Sequence, residues 1–317
     1  MNSLLYSLNG TVPIFAVMVL GYFLKKRGMF TKEFVNIANR YCFRVALPVM
    51  LFHDLWQADI SGEFDWRFVA FCFLATSGSF ALIWVGAECF MKDKTMIGAF
   101  VQGSFRSSAA ILGIAFIKNI YGDVGLAPLM IIGAVPFYNV ASVVVLTFRG
   151  KNPVDAKSHA GIKKACFNIV KNPIIIGIVI GCAASLIHLK LPEMAVKTID
   201  LIDRTATPIA LLAIGAGFTF SAAKAKRKPA IVGTTIKLVL LPLVVLPLAI
   251  LMGFRNQELL SILIMIAGPA TASGYVMAKE MNNDHELANC LIVFSTLVSA
   301  FTLTFWIFLL KSLKYLV

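Results

Sequence analysis

The 317-residue sequence predicts an all-α polytopic membrane protein, with ten transmembrane helices in two inverted five-helix repeats and breaks in helices four and nine. Three observations predict it: apolar blocks of membrane-spanning length, basic residues that favour alternate loops, and a weak internal match at one offset. Hydrophobic residues make up 59% of the chain and charged residues only 14%, whereas soluble domains carry about a quarter charged. Mean hydropathy is +0.83. The apolar blocks run to roughly 18–24 residues, enough to cross a hydrocarbon core of about 30 Å as a helix. The net charge of +13 sits in a few short loops without interleaved aromatics. That distribution reads as membrane-loop charge and argues against a nucleic-acid partner.

The ten segments are 4–24, 41–57, 66–88, 96–117, 125–148, 173–191, 205–222, 230–253, 259–278 and 287–310. The second is the weakest, being short, with Arg44 at its edge and Pro48 inside it. The first has no basic residue before it and no small-residue cleavage site, so it reads as a retained helix and not as a signal peptide. Lysine and arginine then fix the orientation. One set of alternate loops holds 19 of them and the opposite set holds 8. This bias places "KKRGMFTK" and "KAKRK" in the cytoplasm and both termini on the outer side of the cytoplasmic membrane. Two basic residues remain inside spans, Arg106 and Lys237. The six cysteines are scattered without metal-ligand spacing, so they read as packing residues, and no cofactor or metal is expected.

The halves match at an offset of 160. "PIFAVMVLG" from Pro13 lies over "PIIIGIVIG" from Pro173, and "ALPVML" from Ala46 lies over "ATPIAL" from Ala206. One residue further on, Gly113 pairs with Gly274, Lys118 with Lys279 and Asp123 with Asp284. The expected division is residues 1–148, a cytoplasmic linker loop at 149–172, and residues 173–317. Five spans are an odd number, so the second copy inserts upside down. Inverted repeats are a transporter architecture whose sites lie near the midplane, at helices broken by Gly or Pro. Span four carries "SSAAILG" and span nine carries "GPATASG". These are the candidate breaks, with Gly113, Gly268, Pro269 and Gly274 as crossover or hinge positions.

Eight stretches in order resemble the auxin efflux carrier family, in its bacterial branch of organic-acid permeases of malate or malonate type. They are "VMVLGYFLKKRGMFTKE", "ALPVMLF", "FRSSAAILGIAFIKNIYG", "VPFYNVASVVVL", "NPIIIGIVIG", "ATPIALLAIGAG", "IKLVLLP" and "GPATASGYVMAKEM". The resemblance covers essentially the whole chain. It implies a ten-helix fold in which unwound helices four and nine cross, and a scaffold-and-transport division that allows elevator-like movement. It allows a homodimer. The chain departs from many members at Ser108, where they have Asn, and at Ala115, where they have Pro.

Arg106 lies about ten residues from either end of its span. An arginine at a helix centre costs about 2.5–3.5 kcal/mol on insertion scales. It either binds an anionic group or hydrogen-bonds the carbonyls of a broken helix. Lys237 is a second anion partner or a lysine facing a wet vestibule. Asn139 either joins helices or, as the resemblance implies, faces the crossover. Ser107, Ser108, Thr271 and Ser273 can hydrogen-bond a carboxylate or refill backbone bonds lost at the breaks. No histidine is placed as a proton relay. All 16 acidic residues fall in loops or at span edges, which argues against a cation exchanger.

The sequence thus points to a secondary transporter of a small organic anion working by alternating access in a lipid bilayer. A cation or proton exchanger, or a receptor or channel of the same architecture, is the competing reading. An enzyme is not expected, since no nucleophile with a base and no phosphate loop is evident.

Overall fold

In a computed structural model of the chain, the described residues are 2–57, 65–109, 117, 121, 126–150 and 159–316. Among them the backbone is almost wholly helical, and the only β-type pairing is one isolated antiparallel bridge. Helix α1 (Asn2–Lys26) is an apolar rod ending in Lys25 and Lys26, and the chain reverses at Gly28, whose φ is +78°. Thr31 then caps α2 (Lys32–Tyr41) by accepting from the Phe34 amide at 3.1 Å. A π-turn at Cys42–Ala46 carries α2 into α3 (Leu47–Trp56). Pro48 explains that wider turn, because its ring removes an N–H and crowds the carbonyl four residues earlier. The weak second span is therefore the end of a longer, kinked rod.

Asp65 caps α4 (Trp66–Phe90), α5 (Ile97–Phe105) stops early, and α6 (Ala127–Phe148) follows. The expected linker loop contains α7 (His159–Val170). Asn172 and Pro173 start α8 (Pro173–Leu186), with the asparagine side chain accepting from Ile174 N at 3.0 Å. Next comes α9 (Glu193–Gly217), which begins twelve residues before the expected seventh span and draws Asp200, Asp203 and Arg204 into a helix. The short α10 (Phe220–Ala225) leads into α11 (Arg227–Thr235). A second π-turn, Ile236–Leu240, joins α11 to α12 (Leu241–Leu251) just before Pro242. The chain closes with α13 (Asn256–Ala267), α14 (Ala272–Glu280) and α15 (His285–Ser312).

Among the described residues, four continuous helical stretches are long and apolar enough to cross a membrane: Trp66–Phe90, Ala127–Phe148, Arg227–Leu251 and His285–Ser312. Pro173–Leu186 and Asn256–Ala267 are apolar but shorter. Their outward faces carry large apolar side chains such as Leu82, Phe90 and Phe301, as lipid contact requires.

Helix α3 lies along α8, and α1 lies along α9 and α15, while α4, α5 and α6 pack on one another and α5 meets α11 and α15. Glycines allow the closest approaches. A Cβ at Gly21 would meet the backbone of Leu212, its Cα at 2.9 Å, and one at Gly181 would meet the backbone of Phe52 at 2.9–3.0 Å. Gly21 and Gly181 are 160 residues apart, and so are Phe52 and Leu212. The two contacts are thus related by the same 160-residue offset.

Candidate functional site

The site is built where two helices stop. Helix α13 ends at Ala267 because Gly268 precedes a proline and takes an extended conformation (φ −64°, ψ 154°). Pro269 has no N–H, so the carbonyl of Met265 loses its helical donor, and the Tyr138 hydroxyl replaces it at 2.7 Å. Helix α5 ends at Phe105 without a proline or glycine at the break. Arg106 is instead extended (φ −83°, ψ 126°), and the next two residues pair with the other break. Ser107 bridges Ala270 in antiparallel fashion, and Ser108 N donates to Pro269 O at 2.9 Å. Ser107 Oγ donates to Gly268 O at 3.2 Å, and Ala270 N donates to Ser295 Oγ at 3.0 Å. Non-helical backbone at this depth survives because each named group has a protein partner.

The structure gathers most of the predicted polar residues here. Arg106 Nη2 donates to Asn139 Oδ1 at 2.8 Å and to Ser273 Oγ at 2.7 Å, and Nη1 lies 2.9 Å from Met277 Sδ. Asn139 Nδ2 donates back to Val135 O at 2.9 Å, which fixes its oxygen toward the guanidinium. Thr271 Oγ1 lies 3.1 Å from Ser273 Oγ. Arg106 is 5% exposed and Asn139 1%. Among the described residues Arg106 has only neutral partners, and neither it nor Lys237 takes part in an ion pair. Lys237 is fully buried and donates to Ser107 Oγ at 2.8 Å.

A cavity of 310 Å³ opens on this cluster. Arg106, Ser107, Ser108, Asn139 and Thr271 line it, and so do Tyr138 and Thr207. Lys237 is not among its lining residues and stands behind Ser107, while Ser273 lines a small adjoining cavity of 40 Å³ with Ser108 and Thr271. Gly274 lies in the first turn of α14, where an added Cβ would make only ordinary contact with Gln102 at 3.7 Å. Gly113 lies outside the described residues. A larger groove of 980 Å³ along α4 and α12 is lined almost entirely by apolar side chains and contains none of the polar cluster.

The sequence reading missed part of the lining. Met50 and Asp54 from α3, and Asp203, Arg204 and Thr207 from α9, line the same cavity as Arg106. His53 Nδ1 lies 2.7 Å from Asp203 Oδ2. Asp203, expected just before the seventh span, belongs to α9, which starts with polar turns that hydropathy does not score as helix.

The chain matches the family described as "Membrane transport protein" over residues 6–307. It is similar to "Uncharacterized transporter YfdV" of Escherichia coli (strain K12), with 25% identity over 96% of this chain and 98% of the relative. An "Uncharacterized transporter" of Methanothermobacter thermautotrophicus is 23% identical over 93% of this chain and 95% of its own. The "Putative malonate transporter" of Rhizobium meliloti (strain 1021) is 24% identical over 95% of both chains. A helical chain with long apolar spans and breaks paired in its interior is a multi-pass membrane protein. It belongs to the membrane transport protein family, the auxin efflux carrier family that its motifs resemble.

Proposed function

We propose that the protein is a secondary transporter of a small organic anion, most simply a mono- or dicarboxylate, that works by alternating access in the cytoplasmic membrane. The observation that carries this reading is the Arg106 guanidinium, 5% exposed, held on neutral partners and facing a cavity of 310 Å³. A buried cation with only neutral partners is short of countercharge, and a carboxylate supplies it in a charge-assisted, potentially bidentate geometry. The hydroxyls of Ser107, Ser108 and Thr271 and the amide of Asn139 add orientation around it. A relative whose name refers to malonate agrees with a ligand of this size and charge.

Ten helices in two inverted repeats, with both termini outside, is the architecture this reading uses. The exchanged contacts Gly21–Leu212 and Gly181–Phe52 support the repeat. The cavity lies toward the His53 and Asp203 ends of α3 and α9, the outer ends in this orientation. At the other end Asn289 Nδ2 donates to Ile214 O at 2.8 Å, and Tyr275 packs against Gly217. That is an arrangement open to the outside and closed to the cytoplasm. Elevator-like motion would carry the paired breaks past α3 and α9.

The test is uptake of radiolabelled malonate, with lactate and succinate beside it, into proteoliposomes of the purified protein. Saturable uptake of at least one acid, competed by its unlabelled form, is expected. Uptake of cations with none of any carboxylate would overturn the reading in favour of an exchanger.

A further inference from the structure

The cavity lining carries charge of both signs. Arg106 and Arg204 line it together with Asp54 on α3 and Asp203 on α9. Asp203 accepts from His53 Nδ1 at 2.7 Å, and the side chain of His53 is 8% exposed. Gln57 Nε2 lies 2.7 Å from His53 Nε2. His53 is thus held between a carboxylate and an amide that can turn either its nitrogen or its oxygen to the ring, so Nε2 keeps a partner whether or not it carries a proton.

The surrounding charges are few. On α9, Asp200 is bound by Arg204, Nη2 to Oδ2 at 2.8 Å, and one of its carboxylate oxygens also lies within 4.8 Å of His53 and Asp203. On α3, Asp54 is the other charged group beside His53, and the Trp56 ring stacks 6.1 Å from the imidazole. The described face of α8, which packs on α3, carries no acid or base, and Cys182 is its only titratable side chain. Arg106 and Tyr138 line the same cavity. An anion bound to Arg106 thus shares a small cavity with the carboxylates of Asp54 and Asp203 and the guanidinium of Arg204, and His53 stands on Asp203 outside the lining.

We propose that the His53–Asp203 pair, together with Asp54, is a proton-binding site that takes up a proton as the anion enters the Arg106 cavity. The inference rests on the anion reading above and deepens it by naming the coupling ion. A bound carboxylate adds negative charge beside Asp54 and Asp203. One proton from solvent relieves it, either on His53, which makes an imidazolium against the Asp203 carboxylate, or on Asp54. By linkage, whatever draws a proton in on binding is itself bound more tightly as pH falls, by up to about tenfold per pH unit for one proton.

Isothermal titration of malonate into the purified protein tests this directly. Two buffers of different ionisation enthalpy are used, in the pH range where malonate is itself fully ionised. Uptake of about one proton per malonate bound is expected from that linkage. His53→Gln, which keeps hydrogen-bonding capacity but cannot titrate, and Asp54→Asn should each still bind malonate, and the one that removes the proton's seat should lose most of the uptake and its pH dependence. Melting curves of both variants report that they are folded. Binding by the wild type with the same enthalpy in both buffers would overturn the coupling and leave the anion site standing. Undiminished proton uptake in the His53→Gln/Asp54→Asn double variant would overturn the assignment to these residues. Absence of binding by malonate, lactate and succinate alike would defeat the anion reading, and this inference with it.

Discussion

Arg106 donates to Ser273 Oγ over 2.7 Å, so one hydrogen bond joins the break after α5 to the break before α14, 167 residues further along the chain. Cation, cavity and both interruptions are parts of one arrangement, and perturbing one should be felt at the others.

Removing the guanidinium should remove the ligand. Arg106→Ala should weaken carboxylate binding by about 2–5 kcal/mol, the range for truncating one partner of a buried charge pair. The protein should stay folded, because the groups left behind are neutral. Titration calorimetry beside a melting curve checks both. Unchanged affinity in a well-folded variant would make the arginine structural.

Supplying the countercharge from the protein should have the opposite effect on stability and the same effect on binding. Asn139→Asp places a carboxylate where the amide oxygen now accepts from Arg106 at 2.8 Å. The melting temperature should rise or hold while carboxylate binding is lost, since the internal anion occupies the ligand's partner. Retained binding at wild-type affinity would contradict the countercharge argument.

Lys237 and Ser107 should respond unequally. Lys237→Met removes a buried cation and leaves Ser107 Oγ its bond to Gly268 O. That change should be neutral or stabilising. Ser107→Ala strands the fully buried ammonium without its partner and should cost about 1–3 kcal/mol. Denaturation of the two purified variants side by side gives the order, and the reverse order would mean that Lys237 has a partner other than Ser107.

Gly21→Val and Gly181→Val should destabilise the protein by similar amounts, about 1–3 kcal/mol or more each, through overpacking. Each valine pushes into the backbone of the helix opposite, at Leu212 and at Phe52. Thermal melting in detergent measures both. A large loss at one and none at the other would argue against equivalent halves.

Much of this was legible in the sequence, for identifiable reasons. Apolar blocks and the 160-residue offset survive because bilayer thickness and helix–helix contact both constrain sequence locally. Gly21 and Gly181 are examples, each needed where a neighbouring backbone comes close. Arg106, Asn139 and Ser107 stood out because polar groups are rare inside spans. What lay hidden depended on helices meeting across the fold. Tyr138 resembles any membrane aromatic until Pro269 is seen to leave Met265 O without a donor. Asp203 resembles a loop acid until α9 is seen to begin at Glu193 and bring it to His53. Lys237 and Arg106 read alike in sequence, yet only Arg106 lines the cavity, while Lys237 is buried and donates to Ser107 Oγ. The π-turns at Cys42–Ala46 and Ile236–Leu240 left no signal beyond the prolines that follow them.

The most direct test of the central claim is the melting temperature of the purified protein across organic acids, neutral amides and inorganic cations, read for wild type and Arg106→Ala together. Ligand at about 100 times its dissociation constant stabilises a folded protein by about 2.7 kcal/mol, enough to register as a clear upward shift. The account predicts a shift for small carboxylates in the wild type, none for the amides, and none for the carboxylates in Arg106→Ala. A shift produced by cations alone, or a carboxylate shift of equal size in both proteins, would contradict it.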